Sequence, residues 1–292
     1  MKAAIIVNPV SGRNRSLRTM ELLLSRRPFP DWAIELFPTT GPGNAGAIAR
    51  ELCLRPPDLL AVCGGDGTLN EVASAVPEPP YPVALLPAGT ANVLARELNL
   101  PGNLREALAI ALERKVRRVD LGKLKSQGSR RFLLMAGIGF DAHVAAATHL
   151  HSKRRWGIVA YYFSTARSIL TYPFPEFQVA GGGESISVVT CIAANAGKYG
   201  GGLVLTPDAD MTDGLLDILA IQSGSRLSLL RFLLSARLGT PCSFPFVRRF
   251  RAASLAVAGP GGVPVQVDGE LSGSIPAEIT LTPRSFPLAV RS

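Results

Sequence analysis

A glycine-rich segment after an apolar run has the composition of a phosphate-binding turn. Gly64–Thr68 follows the apolar residues Leu59–Cys63 and precedes the helix-like Leu69–Val76. Glycines let backbone N–H groups approach an anion closely, and the N-terminus of the following helix adds partial positive charge. Asp66 is unusual there, because a carboxylate repels phosphate unless it binds ribose hydroxyls, a metal ion or a donor group. The segment therefore indicates a nucleotide site rather than a simple anion-binding turn.

The same segment lacks the signatures of two common phosphate-binding loops. No Gly-Lys-Ser/Thr follows it, as a Walker loop requires, and Gly65–Asn70 has no third glycine of a dinucleotide fingerprint. A plain strand-to-helix turn is the alternative interpretation of the glycines.

Two other turns follow apolar runs in the first part of the chain. Asn8–Arg13 combines a rigid Asn-Pro turn with a hydroxyl, a glycine and a cation, and Leu86–Arg96 contains Gly89 and Thr90. Each turn could cap the helix that follows it, or its hydroxyl and backbone N–H groups could contact phosphate. Because ligands of parallel sheets bind beyond the carboxyl ends of the strands, the three turns predict one crevice.

Acidic residues are concentrated in two later segments. Thr206–Asp217 offers carboxylates and carbonyls, the oxygen ligands that Mg²⁺ prefers, although Asp-Gly turns are also common for purely conformational reasons. Val267–Glu270 separates two acids, Asp268 and Glu270, by one glycine in a predicted hairpin. One acid could act as a general base toward a hydroxyl, and an ordinary type I′ hairpin is the alternative.

Length and composition describe a folded protein of two domains. Of the 292 residues 47% are hydrophobic, and no stretch approaches the roughly 20 uncharged apolar residues of a membrane-spanning helix. The net charge of +9 favours an anionic partner such as a nucleotide or an acidic membrane surface, and no motif supports nucleic-acid binding. The four cysteines have no metal-like spacing, so we expect reduced thiols in a cytoplasmic protein.

The pattern of apolar residues changes along the chain. Strand-like and helix-like segments alternate in the first part, which predicts an α/β domain with a parallel sheet. Later segments, Ser185–Ala194 among them, are short, strand-like and separated by glycine-rich turns, which predicts a β-rich sandwich interrupted by two helices, Gly157–Leu170 and Arg226–Leu238. Lys153–Trp156 ahead of the first helix and the arginines of the second are candidate membrane-docking surfaces, with ordinary core packing of both helices as the alternative.

The chain resembles the bacterial diacylglycerol kinase-like lipid kinases, a family that includes diacylglycerol and sphingosine kinase catalytic domains. The resemblance rests on motifs in the expected order, which are Asn8-Pro9-x-Ser11-Gly12, Gly64–Glu71, Pro87-x-Gly89-Thr90-x-Asn92, Val119–Gly122, Gly137-x-Gly139-Phe140-Asp141, Asn195–Tyr199, Asp213–Asp217 and Val267–Glu270. It implies an α/β nucleotide domain of the NAD kinase and phosphofructokinase type over residues 1–121, with a return of the chain at about 284–292. It also implies a β-rich lipid-substrate domain over residues 122–283, with the active site between the two.

Carried over residue by residue, the resemblance implies a catalytic pair, a metal site and a nucleotide site. Glu270 would accept a proton from a lipid hydroxyl, supported by Asp268, while Arg13 and Asp120 would belong to a charge network that joins the domains. Mg²⁺ would be held by the Asp213 carboxylate with backbone oxygens of Asp210 and Leu215. ATP contacts are implied at Asn8, Pro9, Val10, Ser11, Gly12, Thr39, Gly65, Asp66, Gly67, Thr68, Leu69, Asn70, Glu71 and Thr90.

Two departures from the family pattern keep other functions open. Arg13 stands where members often carry lysine, and Val93 stands where many carry an aspartate, which removes a possible metal-site carboxylate. An NAD kinase, which shares Gly-Gly-Asp-Gly-Thr, is the nearest alternative enzyme, and a catalytically weak nucleotide- or lipid-binding regulator is the alternative from another class. The Asp213 loop and the Val267–Glu270 turn favour a lipid kinase that associates peripherally with the inner face of the membrane. The acceptor lipid and the oligomeric state, monomer or homodimer, are left open by the sequence.

Overall fold

The computed structural model describes residues 1–11, 16–150, 164–200, 203–238 and 244–291. It divides the chain into two compact units. Unit 1 consists of Met1–Val119 together with Arg284–Ser292, and unit 2 consists of Asp120–Pro283.

Unit 1 is an α/β domain in which strands and helices alternate. Its elements in chain order are β1 (Lys2–Val7), α1 (Ser16–Ser25), β2 (Ala33–Pro38), α2 (Asn44–Leu52), β3 (Leu59–Gly64), α3 (Asp66–Ala75), β4 (Val83–Pro87), α4 (Val93–Glu97) and α5 (Leu104–Leu112). The strands pair in parallel in the order β2-β1-β3-β4. Every residue of β3 and β4 is buried, as expected for parallel strands that helices cover on both faces.

Unit 2 contains two antiparallel sheets and three described helices. Its elements, two of which extend into unit 1, are β5 (Val116–Lys125), β6 (Ser129–Phe132), β7 (Met135–Gly139), α6 (Phe140–Leu150), α7 (164–171), β8 (Phe177–Gly181), β9 (Glu184–Val188), β10 (Thr190–Ala194), β11 (Leu216–Ile221), α8 (Arg226–Arg237), β12 (Val247–Ala252), β13 (Ser254–Ala258), β14 (Pro264–Val267), β15 (Glu270–Ser274) and β16 (Ala277–Ala289).

The two sheets of unit 2 form a β sandwich. One sheet has the order β12-β11-β10-β7-β14-β15, and β16, β13, β8 and β9 pair in that order in the other. A single apolar cluster contains side chains of both sheets, among them Ile138, Ile218, Val257 and Ile279. The last part of β16 belongs to unit 1, where Leu288 pairs with Val83 and the Val290 N–H donates to the Lys115 carbonyl. The predicted fold class, a parallel α/β domain followed by a β-rich sandwich, is confirmed.

Several predicted element boundaries are wrong. Helix α3 begins at Asp66 instead of Leu69, since a carboxylate in the first turn is favourable near the helix N-terminus. The run Ser185–Ala194, predicted as one strand, forms two strands that lie in different sheets. The sequence analysis also missed helix α6. Of the predicted helix Gly157–Leu170 only residues from 164 onward are described, and Lys153–Trp156 lies outside the described residues.

Candidate active site

Three loops of unit 1 meet at the carboxyl edge of the parallel sheet, where β1, β3 and β4 end. The Asn8 Nδ2 donates to Thr68 Oγ1 at 3.0 Å, and the Asn8 backbone N–H donates to the Cys63 carbonyl at 2.9 Å. The Ala88 N–H donates to the Gly64 carbonyl at 2.9 Å, which joins the second loop to the third. The turns that the sequence places at separate strand ends therefore form one contiguous surface.

The carboxylate of Asp66 caps helix α4. Its Oδ2 accepts a hydrogen bond from the Val93 N–H at 2.9 Å, and its Oδ1 accepts one from the Leu94 N–H at 3.1 Å. Burial raises the pKa of Asp66, and the two backbone donors and the positive charge of Arg96 act in the opposite direction. Asp66 thus binds donor groups, which is one of the three kinds of partner that the sequence analysis required for a carboxylate beside phosphate.

Two glycines set the distance between the second and third loops. A Cβ atom on Gly89 would lie 2.5 Å from the Gly65 Cα and 2.7 Å from the Asn92 Oδ1. Asn92 holds the third loop closed, because its side chain accepts from the Gly89 N–H at 2.9 Å and donates to the Gly89 carbonyl at 3.0 Å. Only glycine fits this approach, so the backbones of the two loops lie side by side.

The other predicted nucleotide residues fall into two groups. Ser11, Thr39 and Thr90 lie at the carboxyl edge with Asn8, where the Thr39 N–H donates to the Val7 carbonyl at 2.8 Å. Leu69, Asn70 and Glu71 lie inside α3, and their side chains have structural positions. Leu69 is buried in the core, the Asn70 Oδ1 accepts from Ser74, and the Glu71 Oε2 accepts from the Ala45 N–H at the start of α2. Gly12 and Arg13 lie outside the described residues.

In unit 2 the hairpin between β14 and β15 separates its two acids into different environments. Asp268 and Gly269 both have positive φ, 47° and 85°, which is the geometry of a type I′ turn. The Asp268 carboxylate accepts hydrogen bonds from three backbone N–H groups, those of Leu133, Leu134 and Met135, at 2.9–3.0 Å. Glu270 is exposed, and its carboxylate has no hydrogen-bond or ion-pair partner among the residues that the structure describes. Asp268 therefore fixes the turn, and Glu270 is the acid that the turn presents.

The segment that Asp268 binds is also held from its carbonyl side. The fully buried Asn195 donates from Nδ2 to the Leu133 carbonyl at 2.8 Å, and its backbone N–H donates to the Leu134 carbonyl at 2.8 Å. The same Nδ2 donates to the Asp120 carbonyl at 3.0 Å. Residues 133–135 are thus fixed by side chains distant in the sequence, so the position of the hairpin depends on them.

Replacing Asp268 by asparagine is expected to loosen this anchor. The amide retains one acceptor oxygen but turns an NH₂ group toward the Leu133 N–H, which leaves that donor unsatisfied at a cost of about 1–3 kcal/mol. We expect amide hydrogen exchange of residues 133–135 to become about 5- to 160-fold faster, measured by mass spectrometry of the peptide that contains them. Glu278→Gln, an exposed acid on β16, is the matched control, and unchanged exchange in Asp268→Asn would contradict the anchoring role.

A buried polar chain that the sequence analysis missed reaches the same turn. Asp141, in the first turn of α6, accepts hydrogen bonds from the Tyr199 hydroxyl and, at 2.7 Å, from the Gln266 Nε2. The Gln266 Oε1 accepts from the Gly269 N–H at 2.6 Å. Burial raises the pKa of Asp141, and its two donors oppose that shift. A Cβ on Gly137 would overlap the Asp141 carboxylate, so the Gly-x-Gly-Phe-Asp stretch was the available signal.

The predicted metal loop contains the expected oxygen atoms in a charged environment. Asp213 Oδ1 accepts from the Leu215 N–H at 2.9 Å, and its Oδ2 lies 3.6 Å from Arg251 Nη1. The Asp210 Oδ1 accepts from both the backbone and the hydroxyl of Thr212, and its carbonyl, the predicted ligand, accepts from the Asp213 N–H at 3.4 Å. The described residues contain no cluster of three His, Cys, Asp or Glu side chains around a common metal position. Carboxylate and carbonyl oxygens are the kind of ligand that Mg²⁺ prefers, but Arg251 competes with a metal ion for the Asp213 carboxylate.

Asp120 is fully buried beside this loop. Its Oδ2 accepts from the Gly214 N–H at 2.7 Å, and its backbone N–H donates to the Met211 carbonyl. The position of Asp120 is therefore tied to the predicted metal loop within unit 2. The charge network predicted for Asp120 and Arg13 is still a prediction, because Arg13 is not among the described residues.

Comparison with known proteins connects both units to one group of enzymes. Residues 2–124 match the model of the diacylglycerol kinase catalytic domain, and residues 135–290 match that of the YegS C-terminal NAD kinase beta sandwich-like domain. A Mycobacterium tuberculosis protein named diacylglycerol kinase is 29% identical over 98% of this chain and 94% of its own length. A diacylglycerol kinase of Staphylococcus carnosus is 27% identical over 94% of this chain and 90% of its own.

Solved structures share the fold over almost the whole chain. A crystal structure from Bacillus anthracis str. Sterne has a TM-score of 0.81 at 26% identity, and covers 99% of this chain and 97% of that one. No described helix has the length and apolar character to cross a membrane.

Proposed function

Since the chain belongs to the diacylglycerol kinase-like family of lipid kinases, we propose that it transfers the γ-phosphoryl group of ATP to the hydroxyl of a diacylglycerol-like lipid at a membrane surface. The observation that carries the proposal is the cluster of three loops at the carboxyl edge of the parallel sheet, joined by Asn8, Thr68 and the approach of Gly65 to Gly89. Backbone N–H groups at such an edge, beside the N-terminus of α3, are suited to bind phosphate oxygens.

In this proposal unit 1 binds the nucleotide and unit 2 supplies the proton acceptor. Glu270 takes the proton of the lipid hydroxyl as the hydroxyl oxygen attacks the γ-phosphorus. The bond between the γ-phosphorus and the bridging oxygen of the β-phosphate breaks, which releases ADP. Phosphoryl transfer depends mainly on positioning and on stabilisation of charge, so the anchoring of the hairpin by Asp268 and Gln266 contributes by orienting Glu270.

A magnesium site is proposed at Asp213, with the carbonyl oxygens of Asp210 and Leu215. These groups would hold Mg²⁺ by one carboxylate and two carbonyl oxygens, with water supplying the remaining ligands. When bound to ATP, Mg²⁺ would neutralise negative charge on the phosphates. Val93 has no carboxylate to offer, and its backbone N–H serves the Asp66 cap instead.

Removal of divalent metal is expected to lower the thermal midpoint of the wild-type protein. If Mg²⁺ at Asp213 stabilises unit 2, each kcal/mol of lost binding lowers Tm by about 2–4 °C. Asp213→Asn should start from a lower Tm and no longer respond to a chelator, measured by differential scanning calorimetry. The exposed Asp31→Asn is the control, and an equal response to chelator in all three proteins would argue against the site.

The test of the proposed function is a kinase assay with labelled ATP and mass identification of the product. We expect label to enter a lipid alcohol when dioctanoylglycerol or lipid-extract vesicles are supplied. Transfer to NAD would support the NAD kinase alternative, and ATP binding with no transfer to any acceptor would support the regulator. Either result would overturn the proposal.

A further inference from the structure

Helix α8 carries an apolar face on each of two opposite sides. Leu229, Phe232 and Ala236 are buried and pack the helix onto unit 2. Four leucines on the other side are exposed, Leu227 by 55%, Leu230 by 43%, Leu234 by 56% and Leu238 by 79%. Their spacing of three, four and four residues places them within a sector of about 80° at 100° per residue. Packing against the core therefore accounts for only one of the two faces.

Arginines border the exposed leucines on both sides. At the same rotation per residue, Arg231 lies beyond one edge of the leucine sector, and Arg226 and Arg237 lie beyond the other. The helix contains no acidic residue, so its outward surface is apolar in the centre and positive at both margins. Arg226 also donates to the carbonyls of Ile169 and Leu170 at 3.1 Å, which brings the end of α7 beside the start of α8.

Leu170 extends the same kind of surface. It is 70% exposed, and its carbonyl is bound by Arg226 at the start of α8. Together Leu170, Leu227, Leu230, Leu234 and Leu238 form what we call the leucine face. Exposed leucines in such a group mark an interaction site, whereas single exposed leucines elsewhere need no partner.

We propose that the leucine face docks the protein on an anionic bilayer, with the leucines entering the boundary between headgroups and acyl chains. The charge pattern favours an anionic bilayer as the partner, because arginines on both margins can bind anionic headgroups on either side of the inserted leucines. The net charge of +9 acts in the same direction. The choice of a bilayer over a protein rests on the proposed function, since a kinase of membrane lipids must reach its acceptor there.

The test measures binding of the full chain to vesicles by co-sedimentation, without reference to catalysis. We expect wild-type protein to bind phosphatidylcholine vesicles that contain phosphatidylglycerol, and to bind pure phosphatidylcholine much less. Leu234→Gln with Leu238→Gln should reduce binding at least tenfold, and Arg231→Gln with Arg237→Gln about fivefold for each arginine. Leu22→Gln with Leu54→Gln is the matched control, because those leucines are 61% and 83% exposed and lie in unit 1.

A second readout separates this inference from the proposed function. Transfer to monomeric dioctanoylglycerol should be unchanged in Leu234→Gln with Leu238→Gln, while transfer to diacylglycerol in anionic vesicles should fall with binding. If wild-type protein phosphorylates the soluble lipid and the variant binds vesicles as the control does, the leucine face is excluded and the kinase assignment stands. If the wild type forms a dimer that the leucine substitutions dissociate, a second copy covers the face and the proposal is overturned. If the wild-type protein transfers phosphate to neither lipid but still binds vesicles through the leucine face, the proposed kinase activity is rejected and the docking proposal is retained.

Discussion

Replacing Glu270 by glutamine is expected to lower phosphoryl transfer by about 10²- to 10⁴-fold, with nucleotide affinity unchanged. Glutamine has the shape of glutamate, but its amide does not accept the proton that the attacking hydroxyl must lose. The Glu270 carboxylate is exposed and has no partner among the described residues, so the substitution breaks no hydrogen bond. The measurements are kcat with dioctanoylglycerol and the dissociation constant of ATP by calorimetry.

The control for this variant is an exposed acid of the same type on the next strand in sequence, which lies in the other sheet. Glu278→Gln changes charge by the same amount on β16 and should retain wild-type kcat. A Glu270→Gln protein with full activity would move the proton acceptor to another residue. A lower melting temperature would instead point to a structural role, for which the described part of the chain offers no hydrogen bond or ion pair to the Glu270 carboxylate.

The three turns that form the proposed nucleotide site could be predicted because they are local in the sequence. Each of the three turns directly follows an apolar strand, and parallel strands bring their carboxyl ends to one edge of a sheet. The sequence also identified Asp66 as a residue that needs a partner. It did not reveal that the partner would be the N-terminus of α4, because the contact joins residues 27 and 28 positions apart and depends on the order of strands.

The anchoring of the hairpin could not be predicted for the same physical reason. The Asp268 contacts span more than 130 residues of sequence, and the contact between Gln266 and Asp141 spans 125. Alternation of apolar and polar residues in β14 predicts that Gln266 faces away from the core that Val265 and Val267 enter, yet the structure buries it. A buried amide needs partners, but the burial of Gln266 could not be predicted from β14, so the Gly-x-Gly-Phe-Asp stretch was the one local signal of this polar chain.

Helix α6 was missed although its composition favours a helix. Residues 145–147 are three alanines, the residue with the highest helix propensity, but Gly137 and Gly139, just before the start of the helix, favour an interpretation as a turn. In the structure Gly139 has a φ of 80° and ends β7, so the glycine and the helix are both accommodated by one sharp change of direction. The division of Ser185–Ala194 into β9 and β10 likewise could not be predicted locally, because it depends on how the chain passes from one sheet of the sandwich to the other.

Replacing Gly89 by alanine is expected to weaken nucleotide binding on the order of 10²-fold. The new Cβ would lie 2.5 Å from the Gly65 Cα, whereas carbon atoms in contact are about 3.5–4.0 Å apart, so the two loops must separate by about 1 Å. A displacement of that size at groups that position a substrate costs about two orders of magnitude. Both neighbours are constrained, since Gly65 is backbone at the start of α3 and Asn92 is bonded twice to Gly89.

The measurement is the dissociation constant of ATP, with Gly102→Ala as the matched control. Gly102 has no atom within 4 Å of an added Cβ and no positive φ, so its substitution should leave ATP affinity unchanged. Because the strain at Gly89 falls on loops rather than on the core of unit 1, the variant should fold and differ in nucleotide binding. Wild-type ATP affinity in folded Gly89→Ala would show that the approach of these loops is not part of the nucleotide site, and would remove the observation on which the kinase proposal depends.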